Sequence, residues 1–152
     1  MKVNNLFYVI FLFVLLVSCN NQANTDDKKP GNEKEKAEEI AGSEQDFMEK
    51  GEKVYNRVCL VCHQSDGSGV PMMYPPVIES DYISVNTDSL IVLILEGLSG
   101  PVVVKGEEYN SIMPPMKDVL DNEEISDLIN YLRNSFGNTG DYVKAGEVAK
   151  LR

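Results

Sequence analysis

Cys59-Leu60-Val61-Cys62-His63 places two thiols three residues apart and an imidazole directly behind the second. On a helical turn, residues i and i+3 are neighbours on one face. Both thiols can therefore add to the two vinyl groups of one haem, with His63 beneath the iron as its proximal ligand. A bare C-x-x-C would suit a zinc ribbon or a thioredoxin-like redox site equally well. The adjacent histidine, and the lack of a second cysteine pair, argue against both. The chain of 152 residues has three cysteines and one histidine. Cys59 and Cys62 go to haem, and Cys19 closes an N-terminal apolar segment, so no thiol remains for a disulfide or a nucleophile. A bis-histidine haem is excluded within a monomer, leaving methionine, lysine, water or nothing for the sixth position.

Residues 6–17 form a run of twelve apolar residues behind a short start containing Lys2. That is too short to span a bilayer, which takes about 20 residues, and it matches the h-region of a secretory signal. Leu16-Val17-Ser18-Cys19 resembles a bacterial lipobox. Residues 1–18 are thus expected to be a lipoprotein signal peptide, with Cys19 acylated and the protein held to a membrane of the bacterial cell envelope, outside the cytoplasm. Residues 19–44 read as a disordered charged tether, with at most a transient helix over Glu33 to Glu39. They are rich in Asn, Asp, Lys and Glu, contain Pro30 and Gly31, and carry too little apolar surface to offset ordering entropy. A flexible coil of this length has an r.m.s. reach of roughly 25–30 Å.

The remainder suffices for one small domain, expected over 45–138 with a C-terminal extension over 139–152. From residue 46 onward there are 17 acidic and 9 basic residues, and a domain this acidic is an unlikely partner for nucleic acid. Phe47, Gly51, Val54, Tyr55, Val58 and Cys62 recur at helical spacing and run into the cysteine motif. Gly51, unfavourable inside a helix, is expected to admit another backbone. The apolar run 90–95, begun by Thr87-Asp88 and ended by Gly97, predicts a short buried helix. Residues 99–115, with three prolines and two glycines, read as mostly irregular. Asp121 and Glu124 form a capping-box pattern ahead of a helix whose apolar face is Ile125, Leu128, Ile129, Leu132 and Phe136, ended by Gly137. The fold class is all-α: three main helices and long loops wrapped around a flat cofactor.

Residues 46–137 resemble a class I, mitochondrial-type monohaem cytochrome c domain. The resemblance rests on Gly51 and Tyr55 leading into Cys59-x-x-Cys62-His63, then Tyr74-Pro75-Pro76-Val77 and Gly97-Leu98-Ser99-Gly100-Pro101. Tyr109-Asn110, Met113-Pro114 and the closing stretch Tyr131 to Asn138 complete it. It implies the small cytochrome c fold and one covalent haem c. It also implies Met113 as sixth ligand, with Met116 the next choice, and the Pro75 carbonyl as acceptor of the His63 ring N–H. Gly51, Tyr55 and Tyr131 should mark the crossing of the first and last helices, and Tyr82 and Tyr109 are candidates for hydrogen bonds to a haem propionate. Relatives often carry tryptophan where this chain has Tyr82 and Phe136, and glycine where it has Ser111.

An iron with both axial positions filled has no open site for a small-molecule substrate. The expected function is therefore one-electron transfer by a carrier rather than an enzyme, between respiratory-chain or dehydrogenase and reductase partners that present basic docking patches. The alternatives are a haem subunit fixed within a dehydrogenase, nitrite reductase or oxidase complex, and a gas-binding or peroxidase-like protein. The last would normally use polar distal groups, and no distal histidine exists.

Overall fold

The computed structural model describes residues 32–152, with side chains from residue 45 onward. The signal peptide, Cys19 and the tether up to residue 31 lie outside the described residues. The first helix, α1 (Asn32–Val58), already includes the second half of the segment read as a tether. Its Glu, Lys and Ala content favours helix, and composition alone did not distinguish a charged helix from a charged coil.

At Cys59 the chain breaks step and re-forms a single turn, α2 (Leu60–His63), which ends where Gln64 turns to a positive φ of 62°. A loop follows whose carbonyl at Gly67 accepts the amides of Val77 and Ile78 at 2.8 and 3.2 Å. The expected buried helix is α3 (Thr87–Glu96), begun by the Asn86 side chain accepting from Ser89 N and ended by Gly97. Leu90, Ile91, Ile94 and Leu95 are buried. The capping box at Asp121 and Glu124 is present and opens α4 (Asn122–Arg133). This helix stops at Arg133, before the sequence pattern suggested, with Asn134 as its cap. Beyond it Phe136 and Gly137 both take positive φ, and the Phe136 ring lies against Tyr55 and Tyr131.

Two features were not foreseen. Residues 99–115 contain a hairpin, β1 (Val102–Val104) and β2 (Glu107–Tyr109), paired antiparallel with Val103 opposite Glu108. Its two-residue turn, Lys105-Gly106, has positive φ at both positions, which matches the twist of a tight hairpin. The C-terminal extension is also part of the core. Its helix α5 (Ala145–Leu151) packs on α3 and α4, Val143 and Val148 are buried, and the Tyr142 ring lies tilted beside Phe47 of α1, centroids 6.2 Å apart. The all-α class and its three main helices hold, with this small two-stranded sheet added.

α1 and α4 cross where Gly51 meets Asp127 and Tyr131. A Cβ on Gly51 would overlap the Asp127 carbonyl and stand 2.5 Å from Tyr131 Cβ. Tyr55 is fully buried beside this point, its ring 5.7 Å from Tyr131 and 5.1 Å from Phe136.

Candidate functional site

One deep cleft runs between α1–α2, the 74–83 loop, α3, the hairpin and the segment around Met113. It brings together Cys59, Cys62, His63, Pro75, Tyr82, Tyr109, Met113 and Met116. Its walls are otherwise mostly apolar: Val58, Val77, Ile83, Leu90, Leu93, Ile94, Leu98, Val102, Val104, Leu128 and Leu132 all face it.

His63 is held from several directions. Its carbonyl accepts from Gly69 N at 3.0 Å, and the Tyr55 hydroxyl donates to the neighbouring Gln64 carbonyl at 2.7 Å. The ring Nδ1 lies 2.9 Å from the Pro75 carbonyl oxygen. A carbonyl can only accept, so Nδ1 carries the proton and Nε2 keeps its lone pair for a metal. Burial lowers the pKa of His63, and the Pro75 carbonyl opposes this more weakly; the imidazole is neutral, the form that ligates. Gly69 lets Pro75 approach, since a Cβ there would lie 2.6 Å from the Pro75 oxygen.

Cys59 and Cys62 are free, half-buried thiols at the edge of the cleft. Burial, with Cys62 beside it, pushes the Cys59 thiol up to about 12.

Met113 is held by a two-way backbone bridge to Leu98, both hydrogen bonds 2.9 Å. Met116, three residues on, is buried in the core as well as facing the cleft. Met72 and Met73 are exposed at 88% and 49%, and neither they nor Met48 lines the cleft. Tyr82 is half-buried, and the Tyr109 hydroxyl donates to the Glu107 carboxylate at 3.2 Å.

The fit to a flat apolar cofactor can be judged from the donors present. Among the described residues no buried side-chain nitrogen or oxygen lacks a partner. No cluster of three His, Cys, Asp or Glu side chains is arranged for a bare metal ion among them either. One neutral imidazole, two thiols and thioether sulfur around an apolar slot match a porphyrin iron covalently attached at its edge. Sequence reasoning missed Gly69, the Leu98 bridge and the hairpin wall. Glycines in a loop signalled only a turn, and strands of three residues leave no periodicity to read.

A family model for cytochrome c matches residues 48–136. Cytochrome c-552 of Thermus thermophilus is 34% identical over 111 residues, covering 67% of this chain and 83% of that protein. The cytochrome c subunit of the quinone alcohol dehydrogenase of Gluconobacter oxydans is 29% identical over 104 residues, and the gluconate 2-dehydrogenase cytochrome c subunit of Pantoea cypripedii 32% over 110. The matched regions are 22% and 25% of those two longer proteins.

Proposed function

The chain belongs to the cytochrome c family, and from that premise we propose a membrane-tethered one-electron carrier with a single His63/Met113-ligated haem. Family membership brings a covalently bound haem c, which supplies the ferric–ferrous couple. The supporting observation for the ligand set is that His63, Met113 and both thiols line the same apolar cleft.

In this reading Cys59 and Cys62 form the thioethers, and His63 presents Nε2 while its other nitrogen is fixed by Pro75. Met113 contributes a soft thioether that favours the reduced state relative to harder donors. The apolar walls would exclude water from the haem and disfavour the extra positive charge of the ferric state, which would raise the potential further. Leu98, through its bridge to Met113, holds that ligand's backbone. Tyr82 remains a candidate donor to a propionate, with Tyr109 engaged by Glu107.

Spectra test the assignment. Met113→Ala should abolish the sulfur-to-iron band of the ferric protein and let carbon monoxide bind the ferrous form, while Met116→Ala should keep the band. The opposite pattern transfers the role to Met116.

Dehydrogenase subunits among the relatives favour a second reading, a haem subunit fixed to a larger oxidoreductase. For the free carrier, redox partners with basic patches would be steered by the acidic surface. Stretches 58–65, 97–104 and 109–116, which reach the cleft, hold no Asp, Glu, Lys or Arg. Charge would therefore act at range and uncharged surface at contact. The carrier predicts a bimolecular electron-transfer rate that falls as salt rises, and the fixed subunit predicts co-purification and a salt-independent rate.

Lipidation at Cys19 and an extracytoplasmic location in the bacterial envelope belong to the same proposal. Among the described residues no helix is long and apolar enough to cross a membrane. Cys19→Ala should release the domain to the soluble extracytoplasmic fraction or block processing. Membrane retention of the variant with its other contacts intact would point to an uncleaved anchor.

A further inference from the structure

The segment that follows Met113 is tied down at three levels. Met113 itself pairs with Leu98. Further on, the amides of Met116 and Lys117 donate to the carbonyls of Ile94 and Leu95 at 3.1 and 3.2 Å, and Lys117 Nζ lies 2.9 Å from Glu96. The third tie comes from α5. The Arg152 guanidinium donates to the carbonyls of Lys117 and of Leu120, the latter at 2.9 Å, and its Nε donates to Asn122 Oδ1 at 2.5 Å.

We propose that Arg152 is a positioning residue for the sixth iron ligand, clasping the 113–120 segment so that Met113 stays at the iron. The proposal rests on Met113 as that ligand. Three properties carry it. The planar fork of donors suits two carbonyls and an amide oxygen at once. The base that presents it is rigid, because Val148 of α5 is fully buried and Asn130 of α4 clamps Val143 through both its side-chain atoms, at 2.7 and 3.0 Å. Arg152 is also exposed, and exposed charged contacts contribute little to global stability. Its effect is therefore local order in the segment it holds.

The experiment uses the haem-loaded full chain with Met113→Ala, Arg152→Ala, Arg152→Lys and Tyr142→Ala, the last altering the extension away from the Met113 segment. If the unmodified ferric protein lacks the sulfur-to-iron band, or Met113→Ala retains it, the ligand assignment fails on its own. With that assignment standing, Arg152→Ala should raise the affinity of added imidazole for the ferric iron by about threefold, on the scale of losing an exposed charged contact. It should also speed amide hydrogen exchange at Met116, Lys117 and Leu120. Arg152→Lys should recover only part of this, and Tyr142→Ala should leave imidazole affinity unchanged. Unchanged imidazole affinity and exchange in Arg152→Ala would overturn the proposal. An equal rise in Tyr142→Ala would also overturn it, by reducing the effect to general loosening of the extension.

Discussion

Gly97 and Met113 touch backbone to backbone, with no room for a side chain between them. A Cβ on Gly97 would overlap the Met113 carbonyl oxygen and stand 2.8 Å from Pro114 C. Gly97 also ends α3 at a φ of 72°, a conformation that costs a side-chain-bearing residue roughly 1–2 kcal/mol. One residue thus stops the helix and admits the segment that carries the proposed ligand. On the other wall Gly69 does the same for Pro75, the acceptor of His63.

Gly97→Ala should therefore destabilise the protein by about 2–4 kcal/mol and weaken or abolish the ferric sulfur-to-iron band. Denaturant unfolding and the ferric spectrum check the two effects. A stable variant with an intact band would mean that the 113–115 segment can move aside freely.

Gly51→Ala changes a residue that does not itself line the cleft, although its neighbour Tyr55 does, and that has no part in Met113's bridge to Leu98. Its methyl would meet the Asp127 carbonyl and Tyr131 Cβ, forcing α1 and α4 apart and disturbing the Tyr55–Tyr131–Phe136 cluster. A loss of about 2–4 kcal/mol is expected, with the ferric sulfur-to-iron band largely preserved below the melting transition. Comparing melting curves with spectra separates this variant from Gly97→Ala.

Much of this architecture is legible in the residues, and the exceptions have physical causes. The Asp121–Glu124 box and the Asn86-to-Gly97 helix depend on local chemistry, which is written in the sequence; Gly51 is legible as a glycine inside a helical pattern, and its partners Asp127 and Tyr131 are distant. Asn130 and Asn138 are different. Both are buried polar residues whose partners are backbone atoms outside their own turn: Val143 for Asn130, and the distant Val77 and Ser80 together with the nearer Leu132 for Asn138. A helical pattern counts them as polar and places them on the surface. For that reason residues 139–152 read as an appendage, although Val148 is fully buried. The early start of α1 is the reverse case, since a charged segment with high helix propensity has no apolar stripe to announce it.

Asn130→Ala should cost about 2–3 kcal/mol, because it leaves the Val143 amide and carbonyl without their partner in a buried place. Val143 should then lose hydrogen-exchange protection together with α5, while the cysteine motif keeps its own. Protection lost uniformly across the chain would show instead that the extension and the cleft unfold as one unit.

Asp127 supplies a pH dependence of unusual sign. Burial at the α1–α4 crossing pushes its carboxyl up to about 6 from an ordinary value of 3.8. Lys50 opposes the shift, while Asp46, Glu123 and Asp121 reinforce it. Between these two values the folded protein holds this proton and the unfolded chain does not. The group's contribution to stability therefore falls as pH rises from about 4 to 6 and stays low above that. Asp127→Asn keeps the size and removes the charge, so it should stabilise the protein at pH 7 by on the order of 1 kcal/mol, allowing for partial solvent screening. The gain should shrink towards zero near pH 4. Denaturant unfolding of both proteins at pH 4, 5, 6 and 7 gives the difference curve, in which other carboxylates cancel. A difference that does not change with pH would mean that Asp127 ionises as an ordinary surface carboxylate and that Lys50 fully offsets its burial.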